Sequence, residues 1–151
     1  MALDDDIRIL SGVEIFEDFT AEQLRLLAFG AESLRLASGR VLYREGQAAE
    51  SGYVVTLGTV ALFHEKDGAR HVLAEVGPGS MLGELALIAQ TNRLTGAMAA
   101  TDVELVRLNR TLFRRILTEY PETAALLHAR ITANLEDLLQ GIQALAPRFS
   151  D

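Results

Sequence analysis

Between Arg40 and Asn109 the chain breaks into short apolar runs separated by glycines, and few folds accept that pattern. The runs are VLY, YVVTL, TVALFH, HVLAEV, GAMAA and VELVRL, punctuated by Gly46, Gly52, Gly58, Gly68, Gly77 and Gly79. Runs this short and this rich in valine suit the strands of a sandwich or barrel, not helices. One hairpin can be read in register. Asp67-Gly68 favours a two-residue turn that needs positive φ at both positions. Lys66 then faces Ala69, Glu65 faces Arg70, His64 faces His71, and Phe63 faces Val72.

The flanks are helical in pattern. In FTAEQLRLLAFG, Thr20 starts a helix and Gln23 completes a capping box. Phe19 and Leu24 are spaced for a hydrophobic staple, and Gly30 is expected to end the helix in the left-handed conformation. After the strands, RTLFRRILTEY reads as a short amphipathic helix that Pro121 interrupts. A longer helix is expected from about Glu122 to about Ala146. Its apolar stripe, Leu127, Ile131, Leu135, Leu138, Ile142 and Leu145, is close to a heptad seam. The expectation is one α+β domain over 1–151: a β-sandwich of about eight strands at about 34–110, a helix before it, and two C-terminal helices at about 111–146.

Composition removes whole classes of function. There is no cysteine, so disulfides, thiolate catalysis, iron–sulfur clusters and Cys-based zinc sites are excluded. The net charge of −7 argues against direct nucleic-acid binding, which relies on Lys and Arg. MALDDDIR lacks the basic and apolar regions of a secretory signal, and no apolar run is long enough for a membrane span. A cytoplasmic location is expected. Asp4, Asp5 and Asp6 read as a solvated, frayed terminus.

The stretch GELALIAQTNRLTG, from Gly83 to Gly96, carries the chemistry. Gly83 lets a ligand approach the backbone. The amides that follow open one or two turns of helix and attract an anion. Arg93 offers a forked, permanently charged donor suited to phosphate. Glu84 would repel a phosphate but can accept from a ribose hydroxyl. Leu85, Leu87 and Ile88 would anchor the turn to the core. This set describes a nucleotide site, and equally a Glu84–Arg93 salt bridge across a turn, because a lone glycine-acid-arginine pattern is weak.

Taken as Leu82-Gly83-Glu84-Leu85-Ala86-Leu87 with Arg93 at its spacing from the acid, the stretch resembles the phosphate-binding cassette of the cyclic-nucleotide-binding domain family. That family includes the regulatory subunits of the cAMP-dependent kinase and the bacterial catabolite activator proteins. VLYREGQAAESGYVVTLGTVALF resembles the family's first strands, and the likeness runs from Phe16 to about Ala146. The resemblance implies a jelly-roll sandwich with one short helix in the cassette. Arg93 would pair with the cyclic phosphate, and Glu84 would accept the ribose 2′-hydroxyl. The backbone amides of Gly83, Ala86 and Leu94 would touch phosphate or ribose. Leu85 and Thr95 complete the expected ligand-binding set, and Asn134, Leu135 and Leu138 are candidates for a lid over the base. The ligand would be a cyclic mononucleotide, with no further cofactor.

Three positions depart from the family. Leu94 stands where Ala, Ser or Thr is common. It offers no hydroxyl to a guanine amino group, which favours cAMP over cGMP, although Thr95 is adjacent. Leu94 is also large enough to crowd the ligand. Gly96 replaces a common Thr or Ser, and Leu82 a common aromatic. The implied function is a cyclic-nucleotide sensor, not an enzyme, that reorients its C-terminal helices. Output would pass through a homodimer seam on the last helix or through a protein partner, since the chain ends at Asp151 without room for a DNA reader. The alternative is a dimerisation or interaction module that has lost nucleotide binding.

Other candidates are weaker. His64 and His71 lack a third metal ligand. His128 reads as a solvated helix residue. Arg107, Arg110, Arg114 and Arg115 read as a charged, exposed helix entrance. No Ser-His-Asp or paired-carboxylate arrangement stands out.

Overall fold

Helix α1 (Ala2–Ser11) precedes α2 (Ala21–Phe29) in the computed structural model, which describes residues 2–134. Asp4 to Asp6 therefore belong to a helix and not to a frayed end. Leu10 is fully buried further along the same helix. Thr20 caps α2 as expected: its hydroxyl accepts from the Gln23 amide at 3.2 Å, and the Gln23 side chain accepts from the Thr20 amide at 2.9 Å. Gly30 corrects the sequence reading. Its φ of −92° is open to any residue, so the helix does not end in the left-handed region. The need for glycine is steric, because a β-carbon there would overlap the Leu112 side chain.

Ten strands follow among the described residues: β1 (Glu32–Leu36), β2 (Val41–Tyr43), β3 (Ala48–Ala49), β4 (Ser51–Leu57), β5 (Val60–Lys66), β6 (Ala69–Val76), β7 (Met81–Leu82), β8 (Thr91–Asn92), β9 (Gly96–Ala99) and β10 (Val103–Asn109). They form two antiparallel four-stranded sheets, β1-β10-β4-β7 and β2-β9-β5-β6, and a small β3-β8 pair. The six quoted apolar runs each coincide with a strand, with only Thr59 and Ala100 falling just outside. The additional strands are β1, with exposed polar alternation, and three two-residue strands too short for any periodicity. The β5–β6 hairpin has the expected register, with Asp67 at φ 55° and Gly68 at φ 76°. Gly52 is a correction: it lies inside β4, not in a turn, where a side chain would meet Met81.

The period-two alternation of β10 divides the core. Val103 and Leu105 face the second sheet with Tyr43, Tyr53, Val55 and Val60. Val106 and Leu108 face the helices, joining Val54, Leu87, Phe16, Phe19 and Phe113. With both faces covered, β4 is buried without a break from Ser51 to Val55, whereas β10 keeps Glu104, Arg107 and Asn109 half-buried between its apolar residues. The three phenylalanines cluster with ring centroids 5.1 to 6.0 Å apart, a spacing at which tilted rings attract.

Asn109 caps α3 (Arg110–Glu119), its side chain accepting from the Leu112 amide at 2.8 Å. Residues 121–134 form a further helix, α4. Leu127 and Ile131, the first two stripe positions, are buried in this chain's own helical core. Leu135, Leu138, Ile142 and Leu145 lie outside the described residues. The charged face of α4 is tied to the N-terminal loop, with Arg130 Nε donating to Asp18 at 2.7 Å and Nη2 lying 3.2 Å from Glu17. Gln23 also donates to Thr123 at 3.1 Å, fastening α4 to α2.

Candidate functional site

β7 delivers the chain to Gly83, and the turn that follows is a four-residue 3-10 helix, Glu84–Leu87. Gly83 has φ 70°, the left-handed region where a β-carbon is penalised. The 3-10 turn is shorter than the expected helix, and its Ala86 amide already donates to the Gly83 carbonyl at 3.1 Å. So little a turn contributes no macrodipole. The positive charge at the site comes from Arg93. Leu87 is buried, and Leu85 and Ile88 pack against the same core, so the turn is anchored as expected.

Arg93 sits just beyond the β3–β8 pair. Its amide donates to the Gln47 carbonyl at 2.8 Å, and its carbonyl accepts from the Gly46 amide at 2.8 Å. The backbone is thereby held on both sides, and the side chain runs inward to 8% exposure. Nη2 donates to the Ser51 carbonyl at 2.8 Å. Ser51 also accepts from Arg107 Nε through its hydroxyl at 3.2 Å. The guanidinium carbon lies 4.2 Å from the Tyr43 ring centroid and 5.6 Å from that of Tyr53. Nη1 has no hydrogen-bond partner, the only such buried side-chain nitrogen or oxygen among the described residues.

No ion pair joins Glu84 to Arg93 among the described residues, so the salt-bridge reading of the sequence does not hold. Burial pushes the Glu84 carboxyl above its usual range, although its own backbone amide opposes this. Burial also lowers the Arg93 guanidinium pKa, the two tyrosines oppose that, and the Arg107 charge reinforces it. Burial raises the Tyr43 hydroxyl to about 12, with Arg93 opposing and Glu84 and Tyr53 adding to the rise.

A cavity of about 210 Å³ opens between these groups. Gly83, Glu84, Leu85, Ala86, Arg93, Leu94 and Thr95 all line it, so the sequence-expected ligand set is brought together. Asn134 is on α4 but does not line the cavity; Ile131, almost one helical turn earlier, does. Leu135 and Leu138, the other two lid candidates, lie outside the described residues. Sequence reasoning missed Tyr43, Leu62, Met81, Thr91, Asn92 and Ile131 as lining residues. Ile131 was legible as a stripe position, but nothing in the sequence aimed it at this cavity. Leu62 and Met81 needed the sandwich to bring them in.

Of the remaining basic and histidine candidates, Arg107, Arg110 and His64 are engaged in structure. Arg110 donates to the Ala89 carbonyl at 2.9 Å and the Ala49 carbonyl at 3.4 Å. Arg107 and Arg110 therefore brace the strands behind the site and do not form an exposed face, unlike Arg114 and Arg115. His64 pairs with Glu45 at 2.9 Å. No group of three potential metal ligands occurs among the described residues, and no described helix is long and apolar enough to cross a membrane.

A positive, unpaired nitrogen and a half-buried carboxylate on one cavity, with apolar walls, suit a small ligand that carries an anion, hydroxyls and a flat apolar part. Comparison with known proteins points the same way. A family model described as the cyclic nucleotide-binding domain matches residues 33–120. A solved cyclic nucleotide-binding-like protein from Brucella abortus is 60% identical, with a TM-score of 0.71, covering 76% of this chain and 99% of its own. The regulatory domain of Toxoplasma gondii PKA, solved with cAMP, is 27% identical with a TM-score of 0.71, covering 76% of this chain and 44% of its own. Lysophospholipase NTE1 of Chaetomium globosum is 34% identical over 112 residues, covering 74% of this chain. The chain spans only 7–8% of the length of the lysophospholipases it matches first.

Proposed function

Taking as premise that this chain belongs to the cyclic nucleotide-binding domain family, we propose that it is a cyclic-nucleotide sensor that prefers cAMP to cGMP. The observation that carries this reading is Arg93 Nη1, a buried cationic donor without a partner at the wall of the cavity. A buried donor left unsatisfied costs about 1–3 kcal/mol, more when charged, and a cyclic phosphate would remove that cost. Glu84 would accept the ribose 2′-hydroxyl, and Leu62, Leu94 and Ile131 would cover the base. Leu94 has no hydroxyl for a guanine amino group, which supports adenine as the preferred base. Thr95, at the wall of the cavity, is the residue that could offset it.

Ile131 gives the mechanism its handle, because it belongs both to the cavity wall and to the helical core. A ligand that contacts Ile131 acts on α4 directly. Reorientation of α4 then follows if the ligand binds one arrangement of the helix more tightly than another. Output would pass to a protein partner in the cytoplasm or to a homodimer through the C-terminal helix. The role is regulatory, and the hydrolase activity of the lysophospholipase relatives is not assigned to this chain. A second reading, an interaction module that binds no nucleotide, is favoured by the bulk of Leu94 at the cavity wall.

Calorimetric titration of the folded, ligand-free protein with cAMP and cGMP, alongside Arg93→Ala, decides between them. Saturable binding that is lost in Arg93→Ala supports the sensor, and the two affinities give the base preference. Absence of heat with both nucleotides sinks it and leaves the interaction module.

A further inference from the structure

We propose that Tyr43 is a positioning residue for the anion site: it presents the Arg93 guanidinium through its ring face, together with Tyr53, so that the cation is held without being neutralised. The proposal deepens the nucleotide reading and rests on it for the identity of the anion. A buried arginine is ordinarily paired with a carboxylate, because an uncompensated charge is costly to bury. Arg93 has no such partner, and what surrounds it instead is one carbonyl and two rings. The negative face of an aromatic ring attracts a cation, and does so more strongly where water is excluded. Both rings are in the inter-sheet core, at 8% and 9% exposure.

The origin of the two rings matters. Tyr43 ends β2 of one sheet and Tyr53 lies in β4 of the other. Their rings stack across the sandwich at 6.1 Å, with 29° between planes. The cradle therefore exists only when the sheets have closed, and it fixes the guanidinium before any ligand arrives. A carboxylate in the same place would hold Arg93 equally well but would compete with the incoming anion. A ring face leaves the full positive charge, and Nη1, available to it.

The experiment has a ligand-free arm and a ligand arm. In the first, the Arg93 side-chain N–H resonances are recorded by NMR in the wild type, Tyr43→Phe and Tyr43→Leu, with Arg93→Lys providing the assignment. Resonances shifted by the ring current in the wild type and in Tyr43→Phe, and relaxed to ordinary positions in a folded Tyr43→Leu, are expected. In the second, cAMP affinity should stay within about threefold in Tyr43→Phe and fall about tenfold or more in Tyr43→Leu. Rescue by phenylalanine separates the ring face from the hydroxyl and from mere bulk. Unshifted Arg93 resonances in the wild type overturn the proposal, and this arm stands even where Tyr43→Leu fails to fold. Unchanged cAMP affinity in a folded Tyr43→Leu overturns it too. Shifted resonances in a wild type that binds neither cAMP nor cGMP would support the cradle while removing the nucleotide reading.

Discussion

A β-carbon at Gly83 would collide with Nη1 of Arg93, the one buried side-chain nitrogen among the described residues that lacks a hydrogen-bond partner. The glycine and the arginine, ten positions apart in sequence, are thus one device. Gly83→Ala should cost about 1–2 kcal/mol in urea unfolding from the left-handed backbone alone. It should also displace the guanidinium and weaken cAMP binding about tenfold or more in calorimetry, since charged hydrogen bonds are worth roughly 1.5–3 kcal/mol. Full affinity in Gly83→Ala would show that Arg93 does not need its present position.

Glu84 opposes function to stability. Folding raises its pKa, so its contribution to stability is whole below the unfolded carboxylate range and is lost as pH rises through the folded value. At neutral pH the ionised carboxylate is a net cost. Glu84→Gln should therefore raise the Tm of the ligand-free protein at neutral pH and flatten its acid-side dependence. The same substitution should weaken cAMP by about ten- to a hundredfold, because a charged acceptor is lost to the ribose. A lowered Tm together with unchanged affinity would contradict both parts.

Tyr43 makes an alkaline prediction. Its pKa is raised by burial from 10.0 to about 12, so the neutral hydroxyl is the form that folding favours. That stability is complete below about pH 10 and declines as pH rises toward about 12. Tyrosinate absorbance should show one late-titrating group in the wild type, absent in Tyr43→Phe. The Phe variant should also keep more of its stability in that alkaline range.

The close approach of α2 and α3 can be tested apart from the site. Gly30→Ala places a methyl against Leu112 without any backbone penalty, since φ there is −92°. Overpacking of this kind costs about 1–3 kcal/mol. Leu112→Ala should relieve it, so a double-mutant cycle in chemical denaturation should show favourable coupling. Additive losses would mean that the helices do not meet there.

Local physics was readable in the chain wherever the deciding partners are near in sequence. Thr20 and Gln23 are one turn apart, and Asp67-Gly68 sets its own hairpin, so both the cap and the register could be read from residue type alone. Gly83, Glu84 and Arg93 also fall within one short segment, but their spacing alone fitted a salt bridge as well, and the resemblance to a family cassette singled them out; the structure brings all three to one cavity. Gly30 and Gly52 were misread as conformational glycines, because the sequence shows a missing side chain but not the distant neighbour that would collide with it. Residues 4–6 were expected to fray because a run of acids carries no helix signal of its own, whereas α1 is held by Leu10 buried further along it.

The chain by itself therefore determined the strand pattern and the helix starts, since each follows from periodicity or caps over a few residues. Tertiary structure alone decided what surrounds Arg93. Tyr43, Tyr53 and Ser51 reach the guanidinium from strands of two sheets, and Ile131 reaches the cavity from a helix at the far end of the chain. No local pattern encodes those meetings. They arise because closing the sandwich removes apolar surface from water, and the cation must then find its partners among whatever that closure brings within reach.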